Sequence, residues 1–165
     1  MKNELKLLLL LIVVIVQAGC VQQKSLPQMK TYYSSNKSFC IDVPIDYIPY
    51  REPLPNYMAF TSDSQSGTIT IERKYLMSND DFKEFISDAK ADIPKKFKCS
   101  TISVNDTICH YKYAAGLFVY HQYYMKKLIE GYSYVISANG TGMTSEIAKE
   151  IYDSVNDEYT IEFNF

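Results

Sequence analysis

Two histidines and four cysteines are the side chains of this 165-residue chain best suited to nucleophilic or metal chemistry. His110 adjoins Cys109, but neighbours along a strand point to opposite faces, so they cannot form a nucleophile–base pair directly. His121 alternates with Val119 and Tyr123 on one strand face, which fits a core or edge histidine better than a ligand. Cys40 lies in an apolar alternating run and reads as a small strand residue rather than a nucleophile. Zinc is not expected, because the chain has no Cys-x-x-Cys and no paired histidine spacing. A Gly-rich phosphate loop, a G-x-S-x-G turn and a pocket-facing acidic pair are also missing from the sequence. The sequence therefore assigns no catalytic residue, no metal ligand and no cofactor.

The fourth cysteine, Cys20, carries a different chemistry. Lys2 and Lys6 precede an unbroken apolar run at residues 7–16. As a helix that run would be about 15 Å long, half of a hydrocarbon core of roughly 30 Å. It is too short to span a bilayer and suits a signal peptide over residues 1–19. Ala18-Gly19-Cys20 resembles a lipobox, which makes Cys20 the expected lipid-bearing first residue of the mature chain. Gln17 stands where a lipobox carries an aliphatic residue, and Val16-Gln17-Ala18 offers a competing cleavage that would leave Gly19 first. The polar stretch at residues 20–31 reads as a tether. It has no acidic cluster behind the cysteine, so the periplasmic side of a bacterial envelope is the default location.

Removing nineteen residues, which carry two lysines and one glutamate, leaves 146 residues with 15 basic and 18 acidic side chains. That length supports one domain, at residues 32–165, with a core of its own. The charges are interspersed, and without a basic block nucleic-acid binding is excluded on electrostatic grounds. Fifteen tyrosines and eight phenylalanines, with no tryptophan, favour strands. Cys99 and Cys109 flank an expected hairpin turn near Val104, Asn105 and Asp106, and export makes a disulfide between them a candidate. An odd-length loop would set them opposite one another; an even-length loop centred on Asn105 and Asp106 would not.

The elements that must position these side chains follow from apolar spacing. Phe39, Ile41 and Val43 alternate in a first strand that Pro44 ends. Four of the six prolines fall in residues 44–55, predicting an exposed loop that carries Tyr47, Tyr50 and Arg51. Strands follow at residues 57–61 and 68–75. Phe82, Phe85, Ile86, Ala89 and Ile93 mark an amphipathic helix over residues 80–92. Strands at residues 97–103, 107–114, 117–126 and 131–138 lead to a second helix, which starts at Thr144 or Ser145 and buries Ile147, Ile151, Tyr152 and Val155. A last strand is expected at residues 159–165. Short turns between successive strands imply an α+β fold, with an antiparallel sheet of about 6–8 strands flanked by two helices.

The F-x-I-D-V-P run at residues 39–44 and the Gly-Tyr-x-Tyr-x-Ile strand at residues 131–136 are distinctive in this order. With the middle helix and the Ile-Tyr-Asp-Ser-Val helix end at residues 151–155, they resemble the PsbP-like superfamily. That group includes extrinsic photosystem II proteins, bacterial lipoproteins and Ran-binding import factors. The resemblance spans roughly residues 32–165. It implies an α/β/α sandwich and a non-enzymatic binding or assembly role, and it carries over no individual site residue.

The expectation is a lipid-anchored, non-catalytic envelope protein, membrane-bound through Cys20, that binds or helps assemble a protein partner. Two alternatives remain. One is a periplasmic carrier with a small ligand between sheet and helix in a cavity lined by tyrosines. The other is a thiol or hydrolytic enzyme using Cys40 or His121.

Overall fold

Among residues 25–93, 97 and 99–157, which the computed structural model describes, apolar alternation yields nine strands and two helices. The signal peptide, Cys20 and the expected closing strand at residues 159–165 lie outside the described residues. The order is β1 (Met29–Tyr33), β2 (Cys40–Pro44), β3 (Ile48–Pro49), β4 (Tyr57–Ser62), β5 (Gly67–Tyr75) and α1 (Asn79–Ala91). Then come β6 (Cys99–Val104), β7 (Ile108–Ala115), β8 (Phe118–Ile129), β9 (Tyr132–Gly140) and α2 (Ser145–Ser154). Seven strands form one antiparallel sheet in the order β3-β4-β5-β9-β8-β7-β6, and β1 and β2 form a separate hairpin.

The sheet is covered on both faces. On one, Ile69, Ile71, Tyr134, Ile136 and Met125 pack with Phe39, Ile41 and Val43 of the hairpin side and with Ala148, Ile151 and Val155 of the α2 side. On the other, Phe82 and Ile86 of α1 cover Cys109, Tyr111 and Val135. Each fully buried Ile or Phe contributes about 1.5–3 kcal/mol through lost apolar exposure. The α+β class and its two-helix arrangement are thus as the periodicities imply.

Local chemistry sets the helix positions. Ser78 caps α1 in a reciprocal box with Asp81, whose carboxyl those hydrogen bonds hold below its usual range. Thr144 caps α2 by accepting from the Ile147 amide. Lys126 and Lys127, consecutive on β8 and so on opposite faces, reach the two helical layers. Lys126 donates to Asn79 Oδ1 and the Met77 carbonyl at the start of α1, and Lys127 donates to three carbonyls at the end of α2.

Four expectations change. Strand β1 begins at Met29, inside the segment read as tether. Tyr47 is not in an exposed position: it is 2% exposed, and its hydroxyl donates to the Asn139 carbonyl at 3.0 Å. Gly67 permits this approach, since a Cβ there would lie 2.3 Å from that same carbonyl oxygen and 2.5 Å from the Tyr47 hydroxyl. β8 runs on to Ile129, with the turn reduced to Glu130 and Gly131, both at positive φ. Finally, Cys99 and Cys109 are free thiols. The turn is centred on Asp106 and Thr107, one residue beyond the expected position, with Val104 opposite Cys109, and a register shift between Thr101 and Ser103 leaves Cys99 opposite Tyr113. Four residues along β7 separate Tyr113 from Cys109, about 13 Å at 3.3 Å per residue, far beyond disulfide reach.

Candidate functional site

The residues best placed to recognise something gather at one end of the sheet. There β9 finishes, with Gly140 opposite His121 and Asn139 opposite Thr68, and the chain passes through Gly142 and Met143 into the Thr144 cap of α2. The loop after β2 folds over the same end, fixed by Tyr47, and the first described residues, Ser25, Leu26 and Pro27, run beside it. Between these segments lies an open cleft of about 930 Å³. Leu26, Pro27, Ile45, Met143 and Ile147 give it apolar walls, and Asp46, Gln65, Thr144 and Glu146 add polar groups. Hydrogen bonds from its own backbone and then from the Thr144 and Ser145 side chains hold the Glu146 carboxyl below its usual range, so it is ionised at neutral pH.

A smaller hollow of about 250 Å³ adjoins the cleft and shares Gly142, Met143 and Thr144 with it. His110 and His121 meet there, with Nε2 of the first 3.0 Å from Nδ1 of the second. The His110 ring stacks on Tyr123 at 3.9 Å between centroids. Burial, then His121, then Lys112 depress the His110 pKa, which favours its neutral form. Which ring donates across the 3.0 Å contact depends on the tautomers. Burial, with Glu146 adding to it, pushes the Tyr123 hydroxyl up to about 12.

Sequence reasoning treats the two histidines singly, and their pairing comes from register. Ala115 lies opposite Phe118, so His110 falls opposite Tyr123 and His121 opposite Lys112, making the histidines diagonal neighbours on one face. The hairpin around Gly116 contained that signal.

The other nominated residues are dispersed. Cys40 is half-buried in β2 and bridges by backbone to Asn156, beyond the far end of α2. His121 is at the near end, and a ten-residue helix sets these ends roughly 15 Å apart. Cys40 and His121 are therefore not brought together. Burial raises the Cys109 thiol pKa, which leaves it un-ionised at neutral pH. Among the described residues no three His, Cys, Asp or Glu side chains gather as a metal site, and no helix is long and apolar enough to cross a membrane. Tyr111, Tyr123 and Tyr134 are core residues, not parts of an exposed aromatic face.

No family model and no curated protein matches the sequence. Solved structures do match it in fold. The Ran-binding protein Mog1p of Saccharomyces cerevisiae aligns with a TM-score of 0.52 and 12% identity, over 80% of this chain and 96% of that one. A crystal structure from Bacteroides thetaiotaomicron aligns at 0.51 and 11%, over 81% of this chain and half (50%) of that one. The cyanobacterial PsbP of Synechocystis aligns at 0.47 and 10%, over 82% and 95%. The sheet order, two-sided helical cover and likeness to Mog1p give this chain the PsbP-like fold that its sequence resembles.

Proposed function

We propose that the protein is exported, is held to a bacterial envelope membrane by lipid on Cys20, and acts there without catalysis by binding a protein partner. The observation that carries this reading is the cleft beside Ser25, Leu26 and Pro27. It is open, apolar-walled and edged with polar groups, and it lies five residues from the proposed anchor. An anchored chain would hold that cleft near the membrane surface, within reach of other envelope proteins. Mog1p, by its name, is a Ran-binding protein, so this fold serves protein recognition in at least one other setting.

A carrier of a small apolar ligand is the second reading, because about 930 Å³ falls within the volume range of ligand clefts. Against it, the space between sheet and α2 is filled by Tyr134, Ile136 and Ile151, each 0% exposed, so any ligand would have to sit at the open end. The enzyme reading needs Cys40 or His121, and neither lines the main cleft; His121 lines only the adjoining hollow.

Incorporation of labelled palmitate that disappears in Cys20→Ala tests the anchor. A photo-crosslinking residue at Ile45 tests the partner. It should give one discrete protein adduct in intact cells, while the same residue at Tyr75 on the opposite end gives none. Adducts of small-molecule mass alone would favour the carrier.

A further inference from the structure

The turn between β7 and β8 presents the most exposed apolar run in the described chain. Leu117 is 99% exposed, Phe118 60% and Val119 48%, three consecutive exposed residues. Scattered exposed leucines are ordinary, but a contiguous apolar tip points to something that covers it.

Three observations say what. First, the tip projects from the same end of the sheet as the cleft and Ser25. Gly140 ends β9 opposite His121, so Leu117 lies four residues, about 13 Å, beyond the end of its neighbouring strand. The five residues from Cys20 to Ser25 can reach at most about 17 Å when extended. A lipid on Cys20 would therefore hold this end of the sheet at a distance the tip can bridge. Second, the tip carries the amphipathic aromatics suited to a membrane interface. Tyr113 and Tyr120 stack at 5.3 Å just behind it, and Phe97 stacks on Tyr113 at 6.0 Å. Third, the hairpin behind the tip is basic. Between residues 107 and 124 the one charged side chain of fixed sign is Lys112, five residues before Leu117, and Lys95, Lys96 and Lys98 flank Phe97 in the sequence. The whole chain is net negative, so this is a local departure suited to an anionic lipid surface.

We propose that the β7–β8 tip is a second membrane contact, with Leu117, Phe118 and Val119 entering the interfacial layer of an anionic bilayer and Tyr113 and Tyr120 at headgroup level. The orientation rests on the lipid anchor proposed above; insertion of the tip does not. The contact would fix how the domain stands on the membrane, with α1 and α2 flanking the sheet and the cleft facing the bilayer surface.

The absence of tryptophan makes the test direct. Phe118→Trp, with Leu117→Trp as a second reporter, gives a single fluorophore in the mature full chain reconstituted into phosphatidylethanolamine–phosphatidylglycerol vesicles. Emission should shift to the blue and be quenched by lipids brominated along their acyl chains. Leu128→Trp, ten residues along the same strand and so about 33 Å away, should stay solvent-like and unquenched. Unshifted, unquenched emission from both tip reporters in chains shown by mass to carry lipid would overturn the tip contact and leave the anchor standing. Quenching in Cys20→Ala chains, which lack the lipid, would support the tip contact independently of the anchor. Shielding that appears only when membrane proteins are added would assign the tip to a protein and overturn the proposal.

Discussion

Replacing Lys127 by Met keeps a long apolar stem beside Tyr152 and removes the ammonium that closes α2. In the native chain Nζ donates to the carbonyls of Tyr152 at 3.1 Å, Asp153 at 2.9 Å and Val155 at 2.7 Å. These lie where a helix leaves carbonyls without intrahelical partners and where its dipole is negative. A net contribution of about 1.5–3 kcal/mol is typical for hydrogen bonds to a charged group. Burial depresses the Lys127 pKa, and it outweighs the attraction of Asp153, so desolvation takes back part of that gain. The expected loss is therefore near the lower end, about 2 kcal/mol. For a domain of this size that is a fall in Tm of roughly 4–8 °C. Urea unfolding followed by far-ultraviolet circular dichroism should show a lower midpoint with an unchanged slope. Lys149→Met is the internal control, because Lys149 pairs with Asp153 on the exposed side of the same helix, where such pairs contribute little. If the two variants unfold together, Lys127 does not pin α2 to the sheet and the reasoning fails.

Gly67→Ala drives a Cβ into the Asn139 carbonyl, and overpacking of this kind costs about 1–3 kcal/mol; a midpoint equal to wild type would show that the Tyr47 closure is slack. The depressed pKa of His110 means the unfolded chain binds the proton more readily, so stability should fall as pH drops through about 6.5, the unfolded value. His110→Phe keeps the stacking on Tyr123 and should flatten that acid slope in thermal unfolding; an unchanged slope would place the titration elsewhere. Alkylation of the denatured, unreduced mature protein followed by peptide mapping should find Cys99 and Cys109 both modified, and a disulfide-linked Cys99–Cys109 peptide pair would contradict the observed hairpin register.

What the sequence made legible was periodic. The stripe of Phe82 and Ile86, the alternation of Ile69 and Ile71, and the paired Tyr134 and Ile136 each specify a buried face, and each face is buried. The start of the second helix at Thr144 was readable for a local reason as well. Less legible were features that depend on residues distant in the chain. β1 has a polar, exposed pattern, since it lies at the free side of a two-strand hairpin, and it passes for a tether. Tyr47 is surrounded by prolines that signal a loop, yet its burial is decided by Gly67 and Asn139. The cleft is the extreme case: its walls come from four segments that only the completed sheet brings to one end. The histidine pair was half legible, because hairpin arithmetic about Gly116 fixes it once the turn is located.

The account turns on Cys20, for the cleft and the apolar tip acquire a common orientation only if the chain is tethered at that residue. Intact mass spectrometry of the mature protein, extracted from membranes, reads this in one measurement. The account predicts a chain that begins at Cys20 and carries the added mass of acyl groups, more than one being needed for stable anchoring. An unmodified chain beginning at Gly19 would contradict it.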